Sequence, residues 1–225
     1  MFTTSLAIQS TYQSVQCALF HNNDLIECIT LDKRVASKKL IPTIRSDLFY
    51  THDLSLHDIS FMSVNLGPAP FTTLRVVIAT ANGISFASDI PLIGIDGLQA
   101  IMLENKSTDH IPAVLLLNAF NKDVYFALRN KDHKIKKGCQ KINNLLQELY
   151  EHFPKDVPVR FLGNGAQLYK KEIEEVFKDR AVVSSDSVDA CSIDQIGLLG
   201  WESWQNKNNL SKKLLPLYLK NQMLK

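Results

Sequence analysis

The chain has 225 residues, 45% of them hydrophobic, and a formal net charge of +2. That length accommodates one large or two small domains around a substantial core, and the near-balanced charge excludes a protein that grips nucleic acid by its overall field. No apolar run reaches the ~20 residues of a membrane helix, the opening MFTTSLAIQST lacks the basic region and cleavage site of a secretory signal, and Cys17, Cys28, Cys139 and Cys191 form no CxxC pair, so reduced thiols, a cytoplasmic location and no membrane association are expected.

Two short apolar runs, 6–8 and 15–20, flank STYQS, and 25–31 follows the turn HNND, a pattern that predicts a β-meander at the N-terminus. After the basic stretch KRVASKK, Leu40, Ile41, Ile44, Leu48 and Phe49 recur at helical spacing, with Ser37 as the expected cap and Pro42 near the first turn. Ile59, Phe61, Met62 and Val64 alternate as a strand. The glycine and prolines of NLGPAPFTTLRV break it, and a helix over 72–88 follows, with Thr72 as its expected cap. PLIGI reads as a short buried strand, and Asp96 as the cap of a helix through Leu98, Ile101 and Met102.

A second half repeats this logic without repeating the sequence. Strands are predicted at 113–117 and 124–128, a basic hairpin continues through Ile135, and a helix surrounds 145–150. A strand at 159–162, a turn at 163–165, a charged amphipathic helix at 167–178, a strand at 181–184 and a last helix at about 192–205 complete the order. The expected division is an N-terminal lobe over 1–105, a C-terminal lobe over 106–210, and a terminal segment, 211–225, whose apolar LLPLYLK returns toward the first lobe.

The stretch NLGPAPFTTLRV places a tight loop at a helix N-terminus, where unpaired N–H groups and the helix dipole favour an anion. A phosphate cradle, however, calls for glycines that let the ligand approach the backbone. Ala69 and Pro70 stand here instead, and proline removes a donor. The residues therefore favour a packed loop that shapes a protein surface.

In this order the motifs resemble those of the bacterial TsaB proteins, also called YeaZ, relatives of the tRNA threonylcarbamoyltransferase TsaD within the actin-like superfamily. LAIQST with VQCALF resembles the family's opening hairpin, SKKLIPTI its SxxLLPxI helix, and NLGPAPFTTLRV its GPGSFTGLR signature, with Gly67, Pro68, Phe71, Thr72, Leu74 and Arg75 kept. LLNAFNKDVYFAL resembles DARxxEVY, FLGNGAQLY a GxGAxxY turn, and LLPLYLK a terminal PxYLR. Ala69, Pro70 and Thr73 depart from the signature, and Asn118 and Phe120 replace the Asp and Arg of DARxxEVY. The resemblance implies an α/β, actin-like (ASKHA, ribonuclease H-like) two-lobe fold with mixed central sheets.

An actin-like phosphotransferase needs a carboxylate at the end of its first strand to hold the metal's water beside the phosphates. The corresponding residue is Gln9, and an amide supplies neither charge nor a proton acceptor. Transferase relatives bind metal through an HxxxH pair on helix one, whereas this helix has no histidine before His52. His52 and His57 are five apart, which does not align two rings on one helical face, and His21, His110, His133 and His152 are isolated. No GxSxG turn offers a nucleophile.

The resemblance implies a noncatalytic subunit that binds and activates a TsaD-like transferase, joined by a TsaE-like ATPase, with ATP and metal on the partner subunits and none held by this chain alone. Transfer RNA is reached only through the complex, and a homodimer through the same patch is the alternative state of the free chain. The expected interface comprises Leu40, Ile41, Ile44 and Leu48 on helix one with Leu74, Arg75, Ile78 and Asn82 on the helix over 72–88, the contrary reading being that both stripes face their own sheet. The basic stretch 131–141 reads as a solvated hairpin before a tRNA contact. The rival from another class is an autonomous actin-like ATP-dependent phosphotransferase or metallopeptidase.

Overall fold

The computed structural model describes residues 3–106, 111–129 and 135–220. The chain divides into two units, the first running to Ala100 and resuming over Ala190–Leu217, the second comprising Ile101–Asp189 and the residues from Tyr218 on. Among the described residues no helix is long and apolar enough to cross a membrane.

In the first unit β1 (Thr4–Ser10), β2 (Ser14–His21) and β3 (Asp24–Asp32) form the antiparallel meander. The turn into β3 is tight because Asn22 takes a left-handed conformation (φ 56°) that asparagine tolerates. The sheet continues on the other side of β1 with parallel strands β4 (Ile59–Asn65) and β5 (Leu92–Ile95), and ends with the two-residue β11 (Leu210–Ser211), antiparallel to β5. Alternation sorts the side chains by face. Leu6, Ile8, Val15, Cys17, Met62 and Val64 point into one core, which α1 (Ala36–Thr43) and α2 (Phe71–Ser88) close with Leu40, Leu74, Val77 and Ile78.

The opposite face, where Phe20 and Phe61 lie beside the small Ser63, is covered by α7 (Ile193–Gln205), capped by Ser192, whose Oγ accepts from Gln195 N at 3.1 Å. Gly197 and Gly200 let α7 settle directly on this face: a Cβ on Gly197 would lie 2.5 Å from the Phe20 ring, and one on Gly200 would lie 2.5 Å from Ser63 Cβ. Phe61 stacks on Trp204 with ring centroids 5.2 Å apart. The expected lobe 106–210 is thereby redrawn. The last helix belongs with the first unit, because without it one face of that sheet has nothing to pack against.

The second unit repeats the plan. β6 (Ala113–Asn118), β7 (Asp123–Arg129) and β8 (Ile135–Lys141) form a meander, and β9 (Val159–Leu162) and β10 (Ala181–Val183) extend it in parallel. Helix α4 (Ile142–His152) buries Ile142, Leu145, Leu146 and Leu149 on this sheet beside Ile173 and Phe177. The single helix expected over 167–178 is two pieces, α5 (Asn164–Leu168) and α6 (Lys170–Phe177), broken at Tyr169. Helix α5 begins a residue after β9 because Gly165 approaches the Leu116 carbonyl more closely than any side chain allows. Finally, α3 (Gly97–Glu104) starts as expected on Asp96, whose Oδ1 accepts from Gln99 N at 3.1 Å.

Candidate functional site

The loop after β4 is organised from beneath by two buried amides. Asn65 Oδ1 accepts from Gly67 N at 2.8 Å while its Nδ2 donates to Gln9 Oε1 at 3.2 Å. Gln9 Nε2 in turn donates to Gln16 Oε1 at 2.7 Å and to the Cys191 carbonyl at 3.0 Å. Gly67 carries φ +100°, open to glycine alone without strain, and is followed by a cis bond to Pro68. Its carbonyl accepts from Gly97 N at 2.9 Å. Position 97 must also be glycine, since a Cβ there would lie 2.6 Å from both Asn65 Oδ1 and Gly67 O.

The start of α2 corrects one expectation. Thr72 is not its cap but an exposed residue of the first turn, and the helix begins after Pro70 with no side-chain cap on its N–H groups. Thr73 ties the turn down instead: its hydroxyl donates to Pro70 O at 3.1 Å and accepts from Ser10 Oγ at 2.8 Å. Likewise Ser37 lies inside α1, which begins after Val35, and Pro42 sits near the C-terminal end of α1 rather than in its first turn. Past Thr43 the chain proceeds over Ile44–Phe49 as a widened turn of the π type.

Gly67 and Pro68 are buried and Phe71 is exposed, its ring 3.7 Å beneath the Arg75 guanidinium. The expected interface residues Leu40, Ile44, Leu48, Leu74 and Ile78 are buried in the first unit's own core, so the stripes read from the sequence face the sheet. Asn82 is bonded through its side chain to the backbone of Leu214. Of the expected interface residues, Ile41 and Arg75 do face outward. Ile41 is 58% exposed and Tyr50 85%, and with Arg45, Leu54 and Ile84 they line a groove of about 590 Å³ beside the widened turn.

Helix α2 turns Thr72, Arg75, Ala79, Gly83, Phe86 and Ala87 outward, with Phe86 91% exposed, and across its eighteen residues Arg75 is the single charge. A solvated helix ordinarily carries a charged face, and one without it is ordinarily covered. The sequence held this signal in the absence of charge along 71–88, a feature separate from the apolar stripe.

Of the other candidates, His52 Nε2 lies 2.6 Å from Glu27 Oε2, and Asn118 shapes the β6–β7 turn by accepting from Phe120 N at 2.9 Å. His110, His133 and the start of the basic stretch, 131–134, lie outside the described residues. Among the described residues no group of three His, Cys, Asp or Glu side chains is placed to hold a metal ion. Position 9 does not fit a metal–nucleotide site of the phosphotransferase kind, since its amide is neutral and both its polar atoms are committed inside the protein.

A meander extended by parallel strands, built twice and dressed with helices, defines the class: an α/β protein of the actin-like fold. Solved structures of that shape include YeaZ from Pseudomonas aeruginosa, at TM-score 0.71 and 19% identity over 96% of this chain and 100% of that one. A Bacteroides thetaiotaomicron protein with actin-like ATPase fold and unknown function reaches TM-score 0.53 at 7% identity, over 88% and 96% of the two chains. The family model described as TsaD, tRNA N6-adenosine threonylcarbamoyltransferase, matches residues 32–223. The tRNA threonylcarbamoyladenosine biosynthesis protein TsaB of Bacillus subtilis is 26% identical over 88% of this chain and 87% of its own. The chain belongs to the TsaB (YeaZ) branch of the TsaD family.

Proposed function

We propose that this chain is a noncatalytic scaffold in the biosynthesis of threonylcarbamoyladenosine in tRNA, acting in the cytoplasm by binding and activating a TsaD-like transferase. The observation that carries the reading is the outer face of α2, which leaves Phe86 bare among alanines, threonine and glycine with Arg75 as its one charge, next to the groove under Tyr50 and Ile41. Such a face is suited to a helical partner that approaches closely over small residues and fills the groove with an apolar side chain. The amide at Gln9, locked between acceptors, supports a role without phosphotransfer chemistry of its own. ATP and metal are assigned to the partner subunits, a TsaE-like ATPase among them, and tRNA is reached through the complex.

The test is copurification with the TsaD-like protein of the same organism, followed by a threonylcarbamoylation assay. Phe86→Asp and Ala79→Glu place a charge on the outer face without touching the core, and each is expected to weaken association at least tenfold while the melting temperature holds. Undiminished binding and activity in both variants would overturn the reading. Ile44→Asp is unsuitable as a probe, since it places a carboxylate in the core and unfolds the unit whether or not a partner exists.

A further inference from the structure

The last described stretch of the chain crosses the first unit as a strap. Leu210 and Ser211 pair with Ile93 and Leu92 at the sheet edge. Two paired residues make a weak strand, so the strap depends on contacts made further along it. Three residues later the side chain of Asn82, on α2, takes the place of a neighbouring strand: its Oδ1 accepts from Leu214 N at 2.8 Å and its Nδ2 donates to Leu214 O at 3.0 Å. The Leu214 side chain is buried beside Leu66, and the two close over Gly94, where a Cβ would lie 3.1 Å from Leu214 and 2.7 Å from Leu66. Leu217 N then donates to Leu66 O at 2.9 Å, one residue before Gly67. Past Leu217 the chain enters the second unit, where Lys220 Nζ is held by Asp123 Oδ2 at 2.7 Å and by Ala119 O at 2.9 Å.

We propose that this C-terminal strap, buckled by Asn82, is a brace that fixes the loop 66–70 and helix α2 in one arrangement. An apolar residue at 82 would suffice to pack a loose tail against the helix. A side chain that bonds both the N–H and the C=O of one strap residue does something more specific: it fixes the register of the strap, and hence the point at which Leu217 meets Leu66. The loop is thus held from beneath by Asn65, from the side by Gly97, and from the chain's far end by Leu217, while the same buckle holds the flank of α2. Asn82 and Leu214 are 132 positions apart in sequence, so order in the loop depends on residues made long after it.

Amide hydrogen exchange on the free, full-length chain tests this without reference to any partner. Asn82→Ala is expected to speed exchange about tenfold or more at Leu214, Leu217 and Gly67, while amides of β6 and β7 keep their wild-type rates. Asn82→Asp retains the acceptor for Leu214 N and is expected to restore part of the protection at that amide. Exchange at Gly67 that stays at the wild-type rate while Leu214 opens would overturn the brace and leave the strap as edge covering. Should Asn82→Ala fail to fold, Asn82→Leu removes both bonds while keeping a side chain of similar volume, and a wild-type Gly67 rate in it overturns the proposal equally.

Discussion

Gln9 carries more structural weight than its place in an ordinary strand implies. Its amide donates to two acceptors and accepts from one donor with no exposure to solvent. Gln9→Glu, the change that would restore a phosphotransferase-like carboxylate, sets a buried anion against Gln16 Oε1 and the Cys191 carbonyl. It is expected to lower stability by about 2–4 kcal/mol, read as a fall in denaturation midpoint. Cys17 offers a second prediction at this scale. Burial, reinforced by Cys28, Asp47 and Glu27, pushes its thiol up to about 12. The folded protein thus keeps a proton that the unfolded chain gives up near the usual thiol value of ~8.5. Cys17 therefore favours the unfolded state increasingly as pH climbs from about 9 toward 12. A thiol reagent at pH 8 is expected to modify the half-buried Cys28 and Cys139 and to reach Cys17 only on unfolding. The amide at position 9 was legible as a departure from catalytic chemistry. Its bonds were not, because the Cys191 carbonyl lies 182 positions away and no local pattern announces it.

Among the elements, α2 shows what periodicity reveals and what it hides. The expected helix over 72–88 falls within a residue of the observed Phe71–Ser88, but Leu74 and Ile78, expected at a partner interface, lie with Val77 and Ala81 on the buried face. The same stripe could not also be the partner surface, since each residue faces one way, and the outward face is defined by missing charge instead. Capping is legible at Asp96, whose side chain bonds the third residue onward; the same bond made by Ser192 was not anticipated, and the expected caps Ser37 and Thr72 fall inside α1 and α2, whose N-termini carry no side-chain cap. Gly83 makes the outer face testable. A Cβ there meets nothing within 4 Å, so Gly83→Ala is expected to stabilise the free chain by about 0.5–1 kcal/mol through helix propensity alone. On the proposed docking of a partner across this face, the added methyl is expected to obstruct close helix approach, and weaker partner binding by a more stable protein would be its mark. The measurement pairs thermal denaturation of the free chain with the affinity of the same variant.

For the molecule as a whole, the repeated plan of meander and parallel strands was readable from element order, while the assignment of the last helix was not. Sequence proximity placed 192–205 with the strands just before it. What decides is that the second face of β1, β2 and β4, with Phe20 and Phe61 upon it, finds its cover in α7, where Gly197 and Gly200 make room for it. A fragment ending at residue 105 is therefore expected to remain unfolded by circular dichroism and amide dispersion, and adding the peptide 190–217 in trans is expected to recover helical signal. A cooperative, well-dispersed 1–105 fragment would refute this account of the unit.

The interrupted first unit also sets a schedule for synthesis. The ribosome delivers all five principal strands of that sheet early, yet the helix that covers them comes after the 89 residues of Ile101–Asp189. At ~5–20 residues per second this leaves a bare apolar face waiting roughly 5–20 s. In that interval the second unit, contiguous but for its end, has its own cover in hand and closes first. The nascent chain thus matures in reverse order of emergence, and its early half is the part that chaperones would meet.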